Sequence, residues 1–444
     1  MKGIQIVTDN EQVKKIQKIY TCENIPAAEK LYASKSKTTS FKGFGVAITG
    51  ASCYELSLMK PEERKQLLNS VYAKDGLGLS VGRISIGASD YSAELYSYDD
   101  VPFDTELKYF SVERDEKYII PMIKEILQIN PQLYILASPW SPPGWMKTGG
   151  LLCGGYMRMQ YVECYAEYIV KFIKAYAAHG IKISAITPQN EPNTQQGGRM
   201  PACIWHPEIE AEFVKSLKKK LTENCLDVEI WLFDHNFNDT QRVIWQLKNT
   251  EGLADSCDGV AYHYYSGRIE DTTALSKEFP NMPMHFTEGG PRLYDNYATD
   301  WCKWGIMMTK ALSNGFSSFI GWNLLLNEVG APNIGPFSCG GLITRNSANG
   351  ELSFSGQYKA LSHFSPYITS ASEIRALSVG EQFGDVIADY PKSDRAPCGI
   401  LINNGDENIC VVINPNNTKK QIQLVIDGNM WYAELDPESI STFM

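Results

Sequence analysis

Short apolar runs alternate with longer amphipathic stretches along most of the chain. The apolar runs predict buried strands, because each is bounded by polar, proline or glycine residues. In chain order the predicted strands span 43–49, 79–86, 133–137, 181–186, 229–233, 259–262, 284–288 and 317–321. The amphipathic stretches predict intervening helices, among them 60–73, 115–129 and 161–179.

Eight strand-then-helix units between Gly43 and about Ser365 predict an α/β fold, a (β/α)8 TIM barrel. An open doubly wound sheet is the alternative architecture. A nucleotide-binding sheet of that kind would need a glycine-rich phosphate turn after an early strand. The sequence has no such turn, since Gly43 and Gly45 lie within their strand.

The two ends of the chain have a different pattern. A strand-like run at 4–7 and a polar stretch ending at Ser40 precede the barrel. After Pro366, short alternating runs separated by turn clusters predict strands at 386–389, 399–402, 409–413, 422–426 and 430–435. We expect both ends to form one β-sandwich side domain. The predicted domains are therefore 1–40 and 366–444 for the sandwich and 41–365 for the catalytic barrel.

Composition narrows the choice of partners. The 444 residues are 43% hydrophobic and 21% charged, with a net charge of −10, which argues against nucleic acid or an anionic membrane surface as a partner. No run approaches the roughly 20 apolar residues of a membrane span. The first ten residues lack a signal-peptide core, and the eleven cysteines lack metal-ligand spacing. We expect a cytoplasmic protein without cofactor or metal; no pattern indicates an oligomeric state.

Two glutamates carry the candidate chemistry. Glu191 follows the fourth predicted strand within Thr187–Pro192, and Glu288 ends the seventh strand before two glycines. The carboxyl ends of barrel strands are where catalytic groups collect. Either glutamate alone is equally compatible with a helix cap or an ion pair. Together they predict the two carboxyl groups of a glycoside hydrolase, one as acid and one as nucleophile.

Other residues at strand ends are suited to a sugar ring. Trp140, Trp145 and Trp322 have flat, amphipathic rings that can stack on a pyranose, although a buried tryptophan is as often part of the core. Asp90 can accept hydrogen bonds from sugar hydroxyls, or it can cap the next helix.

Three residues are candidates to surround the second glutamate. Arg83 lies inside a predicted strand, where a buried guanidinium needs a carboxylate partner, and we expect that partner to be Glu288. A structural ion pair elsewhere in the barrel is the alternative. His263 and Tyr265 follow the sixth strand and can orient Glu288 or donate to it, and a core histidine is the alternative for His263.

Five motifs resemble those of glycoside hydrolase family 30, a clan A family that includes the lysosomal glucosylceramidases. They occur in the family's order and span nearly the whole chain: 44–49, 138–147, 187–192, 285–288 and 321–327. The resemblance implies a (β/α)8 barrel fused to a β-sandwich built from both termini. It also implies retaining chemistry.

The resemblance assigns roles position by position. Glu191 matches the acid/base, Glu288 the nucleophile and Asn190 the residue that bonds the sugar 2-hydroxyl. Asp90, Trp140 and Trp322 match the sugar pocket, and Arg83, His263 and Tyr265 match the surroundings of the nucleophile. Glu288 beside Arg83 is expected to stay ionised, while Glu191 is expected to have a raised pKa and to carry the proton.

Departures from the glucosylceramidases bear on the substrate. Gly290 stands where those enzymes have a cysteine, and Phe337 is the nearest equivalent of an asparagine beside the sugar. The overall pattern, including 200–206, most resembles the bacterial β-xylosidase branch. We therefore expect an exo-acting β-xylosidase on β-xylosides and xylo-oligosaccharides. The alternatives are a β-glucosidase or glucosylceramidase acting on sphingolipid, and a carbohydrate-binding protein without catalysis.

Overall fold

The computed structural model describes residues 4–9, 15–18, 20–21, 25, 27–38, 40–379 and 396–444. The chain enters through four strands that belong to a sheet outside the barrel. They are β1 (Ile4–Thr8), β2 (Lys15–Lys18), β3 (Tyr20–Thr21) and β4 (Glu29–Thr38).

The next eight strands close into a parallel barrel in chain order, as the alternating pattern predicts. They are β5 (Gly43–Ala47), β6 (Val81–Ile86), β7 (Tyr134–Pro139), β8 (Ala185–Ile186), β9 (Glu229–Asn236), β10 (Gly259–His263), β11 (Met284–Glu288) and β12 (Phe316–Gly321). The predicted fourth strand began at Ile181, but β8 has only two residues. Ile181 and Ile183 are instead buried in the large core cluster outside the barrel interior.

The described residues include ten α-helices, most of them in the barrel region of the chain. They are α1 (Gly50–Ser57), α2 (Pro61–Tyr72), α3 (Ile119–Ile129), α4 (Val162–Ala178), α5 (Pro207–Glu223), α6 (Thr240–Asn249), α7 (Leu253–Ser256), α8 (Thr273–Glu278), α9 (Trp301–Ser313) and α10 (Gly356–Phe364). The helix predicted over 115–129 begins only at Ile119, after a 3-10 turn over Glu113–Lys117. Pro121 explains the break, because it has no N–H to bond the carbonyl of Lys117.

The barrel interior holds one apolar layer, in which each of six strands contributes a fully buried side chain. The layer consists of Val81, Leu136, Ala185, Trp231, Ala261 and Ile320. Such a layer makes the barrel a packed core rather than a pore. The polar side chains at the carboxyl ends of the strands lie directly above this layer.

Nine further strands follow in the described residues after β12. Three form a small sheet, β13 (Leu325–Asn327), β14 (Ile343–Arg345) and β15 (Leu352–Phe354). Six join the N-terminal strands, β16 (Glu373–Ser378), β17 (Cys398–Asn403), β18 (Asn408–Asn414), β19 (Lys420–Ile426), β20 (Asn429–Leu435) and β21 (Ser439–Phe443).

The side domain is a mostly antiparallel ten-stranded sheet built from both termini, as predicted. Its order is β2-β1-β21-β18-β17-β16-β4-β19-β20-β3. Side chains from both halves of the sheet, such as Cys410, Val412, Leu424 and Leu435, share one core. The predicted strand at 386–389 lies outside the described residues, and the predicted domain boundaries stay a prediction.

Strands β4, β16 and β21 were not predicted. In β4 only Leu31 is fully buried, so the alternation that marks a half-buried strand is absent. Pairing with β16 on one side and β19 on the other holds this polar segment in the sheet. In the described part of the chain, no helix is both long enough and apolar enough to cross a membrane.

Candidate active site

A polar layer lies directly above the apolar layer of the barrel. Side chains two residues apart on a strand point to the same side, so the residue two positions beyond each inward-facing side chain faces inward as well. On β6, β7 and β10, and one residue past the end of β8, this rule gives the donors Arg83, Ser138, His263 and Thr187. Thr287 of β11 is the fifth donor of the layer.

All five donors converge on the carboxylate of Asp234, which is fully buried. Oδ2 accepts from Arg83 at 2.8 Å, Ser138 at 2.5 Å and Thr187 at 2.8 Å. Oδ1 accepts from Thr287 at 2.6 Å and lies 3.0 Å from His263 Nε2. Burial would raise the pKa of Asp234, but the charges of Arg83 and His263 hold it well below its usual range.

A bulge in β9 turns Asp234 into the barrel. Ala261 pairs with Phe233 and the next residue of β10 pairs with His235, so Asp234 is skipped. Phe233 and Asp234 both have left-handed backbones, with φ of 82° and 74°. A bulge adds one residue and re-aims the side chains beside it. Simple alternation from Trp231 would instead have pointed Phe233 inward, so the periodicity did not identify Asp234.

Glu288 ends β11 with a donor on each carboxylate oxygen. Arg83 Nη1 lies 2.5 Å from Oε2, and the hydroxyl of Tyr265 donates to Oε1 at 2.9 Å. The structure therefore brings Arg83, Tyr265 and Glu288 together as expected. The second guanidinium nitrogen of Arg83 also donates to Asn190 Oδ1 at 2.7 Å.

Glu191 lies across the cavity from Glu288 in a left-handed backbone conformation, with φ of 54°. Its Oε1 lies 3.4 Å from His263 Nδ1 and 3.8 Å from His235 Nε2. Its Oε2 accepts a hydrogen bond from the side-chain amide of Gln196. His263 lies close to Glu288 as expected, with a ring nitrogen within 4.8 Å of a carboxylate oxygen. Its hydrogen bonds nevertheless go to Glu191 and Asp234, because Nδ1 faces the former and Nε2 the latter.

The two glutamates are close neighbours. One carboxylate oxygen of each, and one ring nitrogen of His263, lie within 4.8 Å of one another. Carboxylates and imidazole are also common metal ligands. Both oxygens of Glu288 already accept hydrogen bonds, and the Arg83 guanidinium disfavours a second cation. The site fits two catalytic carboxyl groups better than a metal, and the absence of a metal stays a prediction.

A cavity of about 480 Å³ opens above these carboxyl groups. Trp140 and Trp322 line it with nearly parallel rings whose centroids are 5.4 Å apart. Asp90 and Asn190 also line it, and among the described residues the buried Oδ1 of Asp90 has no hydrogen-bond partner. Aromatic faces and an unmatched acceptor are what the hydroxyl and C–H groups of a sugar require.

Two aromatic candidates differ in their relation to this cavity. Phe337 lines it and is 43% exposed, and the Phe337 carbonyl accepts from the hydroxyl of Tyr91. Trp145 does not line the cavity. Its indole donates to the Asp99 carbonyl at 3.0 Å and its ring packs on Tyr161, so the core alternative holds for this residue.

The pKa shifts of the two glutamates run opposite to the expectation. Burial raises the pKa of Glu288, and Glu191 adds to the rise, against the opposing charges of His263 and Arg83. Burial would raise the pKa of Glu191 too, but the hydrogen bond from His263 and the charges of His235, His263 and Arg83 lower it. The expectation was wrong because it did not include the action of His263 and His235 on Glu191.

The proton is held instead on His263. Burial lowers the pKa of this histidine, but the carboxylates of Glu288 and Asp234 outweigh burial and raise it to about 9. At neutral pH the imidazolium therefore donates to Glu191 and Asp234, which are both ionised.

Several residues around the cavity were not among the sequence-based candidates. They are Gln196, Met200, Asp234, His235, Asn236, Arg292 and Tyr294. Three of them could have been found from the sequence. Asp234, His235 and Asn236 directly follow the predicted strand 229–233, much as Glu191 follows the predicted strand 181–186. The others lie in loops that have no periodic pattern.

Comparison with known proteins agrees with this geometry. Residues 41–368 match the glycosyl hydrolase family 30 TIM-barrel domain. A putative glucosylceramidase 4 of Caenorhabditis elegans is 30% identical over 402 residues, covering 81% of this chain and 74% of the relative. An endo-1,6-beta-D-glucanase of Neurospora crassa is 26% identical over 423 residues, covering 91% and 85%. The solved structure of an endo-beta1,6-glucanase superposes with a TM-score of 0.84 at 26% identity, covering 99% and 98%.

Proposed function

The chain belongs to glycosyl hydrolase family 30 and is a β-glycosidase, and from that premise we propose that it hydrolyses β-glycosides with retention, using Glu288 as nucleophile and Glu191 as acid/base. The observation that carries the proposal is the separation of the two carboxylates, whose facing oxygens lie within 4.8 Å. Retaining enzymes keep these groups about 5–5.5 Å apart, whereas inverting enzymes leave about 6.5–9.5 Å for a water molecule.

The reaction takes two displacements. In the first, an oxygen of Glu288 attacks the anomeric carbon, the bond to the leaving-group oxygen breaks, and Glu191 transfers a proton to that oxygen. In the second, Glu191 takes a proton from water, the water oxygen attacks the anomeric carbon, and Glu288 leaves. Arg83 and Tyr265 hold Glu288 in the attacking orientation in both steps.

Glu191 obtains its proton from His263. The imidazolium bridges Asp234 through Nε2 and Glu191 through Nδ1. Transfer of the Nδ1 proton to Glu191 Oε1 leaves a neutral ring that still donates to Asp234, and a half-turn of the carboxyl group carries the protonated oxygen to the leaving group. Glu191 is ionised again once it has given that proton to the leaving group, so it can take a proton from water in the second step. That proton returns to His263 at the end of the cycle.

A terminal β-glucosyl unit is the first candidate for the bound sugar, since the curated relatives are named as enzymes of β-1,6-glucan or glucosylceramide. The packing of the chain against Asp90 supports exo action. Ile334 N donates to the Asp90 carbonyl at 2.8 Å, and a Cβ on Gly335 would lie 2.7 Å from Asp90 Cβ. Residues 334–335 thus pack directly against the residue proposed to bind the terminal sugar.

A β-xyloside is the second candidate, and the presence of Phe337 in the lining of the cavity favours it. Xylose lacks the C6 hydroxymethyl group of glucose. An aromatic wall would leave that hydroxyl without a partner, which costs about 1–3 kcal/mol, or roughly one to two decades in rate.

Hydrolysis of matched aryl β-glucosides and aryl β-xylosides tests the proposal, with glucosylceramide as a third substrate. We expect higher kcat/KM on the β-glucoside. A preference of tenfold or more for the β-xyloside, lost in Phe337→Ala but kept in the exposed control Phe103→Ala, would establish the second candidate. Failure to cleave any β-glycoside would refute the proposed function.

A further inference from the structure

Gln196 contacts the carboxylate of Glu191 from a loop rather than from the end of a barrel strand. Its side-chain amide donates to Oε2 of Glu191. The other oxygen, Oε1, faces His263 and His235. Both oxygens of Glu191 are therefore engaged by groups of the protein, and Gln196 lines the cavity beside Oε2.

The loop around Gln196 has a left-handed backbone over three consecutive residues. The φ angles of Gln196, Gly197 and Gly198 are 50°, 61° and 68°. The Gln196 N–H donates to Thr194 Oγ1 at 3.1 Å, which fixes the start of the turn. A Cβ placed on either glycine would meet nothing within 4 Å. The loop tip thus lies in the open, and the glutamine side chain can move without disturbing a packed core.

This contact conflicts with the first step of the proposed reaction. The acid must place a proton between one of its oxygens and the oxygen of the leaving group. Oε1 is turned towards two buried histidines, so Oε2 is the oxygen that faces an incoming aglycone. The Gln196 amide already occupies the space beside Oε2, so it competes with the leaving-group oxygen for this one oxygen of Glu191.

We propose that Gln196 is a positioning residue of the leaving-group side, which holds Oε2 of Glu191 in the free enzyme and is displaced when an oxygen-bearing aglycone binds. The proposal rests on the proposed function, in which Glu191 is the acid/base. Once displaced, the Gln196 amide has both donors and its carbonyl available to hydroxyl groups of the aglycone. The preferred aglycone is therefore a hydroxylated one, such as a second sugar.

Displacement has a consequence for proton affinity. A donor on a carboxylate favours the ionised form, so loss of Gln196 from Oε2 raises the pKa of Glu191. The other titratable or charged groups that face this carboxylate are His263 and His235, Arg83, Glu288 and Asp90. All of them are kept in a variant that changes Gln196 alone.

The test compares Gln196→Met, which keeps the length of the side chain but removes the amide, with the control Gln195→Met. The Gln195 side chain lies beside Gly154 in the same loop system. The basic limb of kcat/KM reports the proton that His263 and Glu191 share in the free enzyme, and that of kcat reports it in the complex. For Gln196→Met on an aryl β-glycoside, we expect the basic limb of kcat/KM to move up, with that of kcat unmoved. The control should move neither.

Two results would overturn the proposal. One is an unmoved kcat/KM limb in Gln196→Met, and the other is an equal shift in both limbs, which would mean that Gln196 stays on Glu191 in the complex. A readout without turnover separates this outcome from failure of the proposed function. The pKa of Glu191 in the free protein, followed by carbon-13 NMR and assigned with Glu191→Gln, should rise by about one unit in Gln196→Met. No rise would refute the contact even if the protein cleaved no glycoside.

Discussion

Replacing Asp234 by asparagine removes one charge from the most heavily bonded carboxylate of the site at almost constant volume. Five donors converge on Asp234, including the buried guanidinium of Arg83 and the ring of His263. An asparagine has one acceptor oxygen and an NH2 group. In one orientation of the amide, its NH2 group faces the donors Arg83, Ser138 and Thr187. In the other orientation it faces Thr287 and His263, so in both cases donors point at a donor. Arg83 is left with Glu288 as its single carboxylate partner in the described chain.

The magnitude follows from the burial of the pair. Breaking a fully buried ion pair by removing one partner costs about 3–5 kcal/mol. Unfolding entropy of about 2.1 cal/mol/K per residue gives roughly 0.9 kcal/mol/K for a chain of 444 residues. We therefore expect Asp234→Asn to lower Tm by about 3–5 °C at pH 7. The lowered pKa of Asp234 means that its contribution is present above about pH 4 and fades below that value, so the difference in Tm should shrink at pH 3.

Differential scanning calorimetry at a fixed scan rate measures this difference, and Asp300→Asn is the matched control. Asp300 is also a buried carboxyl group, but burial raises its pKa to about 7. A raised pKa means that ionisation of Asp300 destabilises the fold as pH rises. At pH 8, Asp300→Asn should therefore keep or increase Tm, while Asp234→Asn lowers it. Equal losses in the two variants, or no loss in Asp234→Asn, would refute the role given to the five donors.

Two further predictions concern stability. Because the pKa of His263 is raised to about 9 from an ordinary value near 6.5, its contribution of roughly 3 kcal/mol is complete below pH 6.5 and is lost as pH rises to 9. Calorimetry should show the advantage of the wild type over His263→Gln falling across that range, and a constant difference would contradict this. Lys147 is buried and donates to the carbonyls of Leu152, Gly154 and Ala202 at 2.7–2.9 Å. Lys147→Met leaves these three carbonyl acceptors without a donor, so we expect a lower Tm and faster proteolysis within 148–157. Unchanged proteolysis would contradict the role of Lys147 in holding this loop.

The sequence predicted those features that depend on position along a strand. Glu288 ends an apolar run and Glu191 follows one, so their place at the carboxyl end of the barrel follows from the pattern. Arg83 was identified because a guanidinium inside a strand demands a carboxylate, and the structure pairs it with Glu288. The eight barrel strands were identified from their apolar runs, which arise because side chains on both faces of these strands are buried.

What the sequence did not predict depends on irregular backbone or on several charges acting together. Asp234 faces inward only because a bulge shifts the register of β9. Gln196 reaches Glu191 from a loop whose conformation no periodicity encodes. The direction of the pKa shift at Glu191 depends on His235 and His263, which approach from two other strands. Strand β4 was not predicted because its residues are mostly polar. It is held in the sheet by backbone pairing with β16 and β19 rather than by an alternating apolar face.

Azide rescue tests the central claim, the division of labour between the two glutamates, most directly. In Glu288→Ala, azide enters from the face that the nucleophile has vacated, and the product should be an α-glycosyl azide. In Glu191→Ala, an aryl glycoside with a good leaving group still forms the intermediate on Glu288. Azide then attacks that intermediate and should give the β-glycosyl azide. Proton NMR of the products distinguishes the two anomers. The account predicts the α-azide from Glu288→Ala and the β-azide from Glu191→Ala, and finding the two anomers exchanged would contradict it.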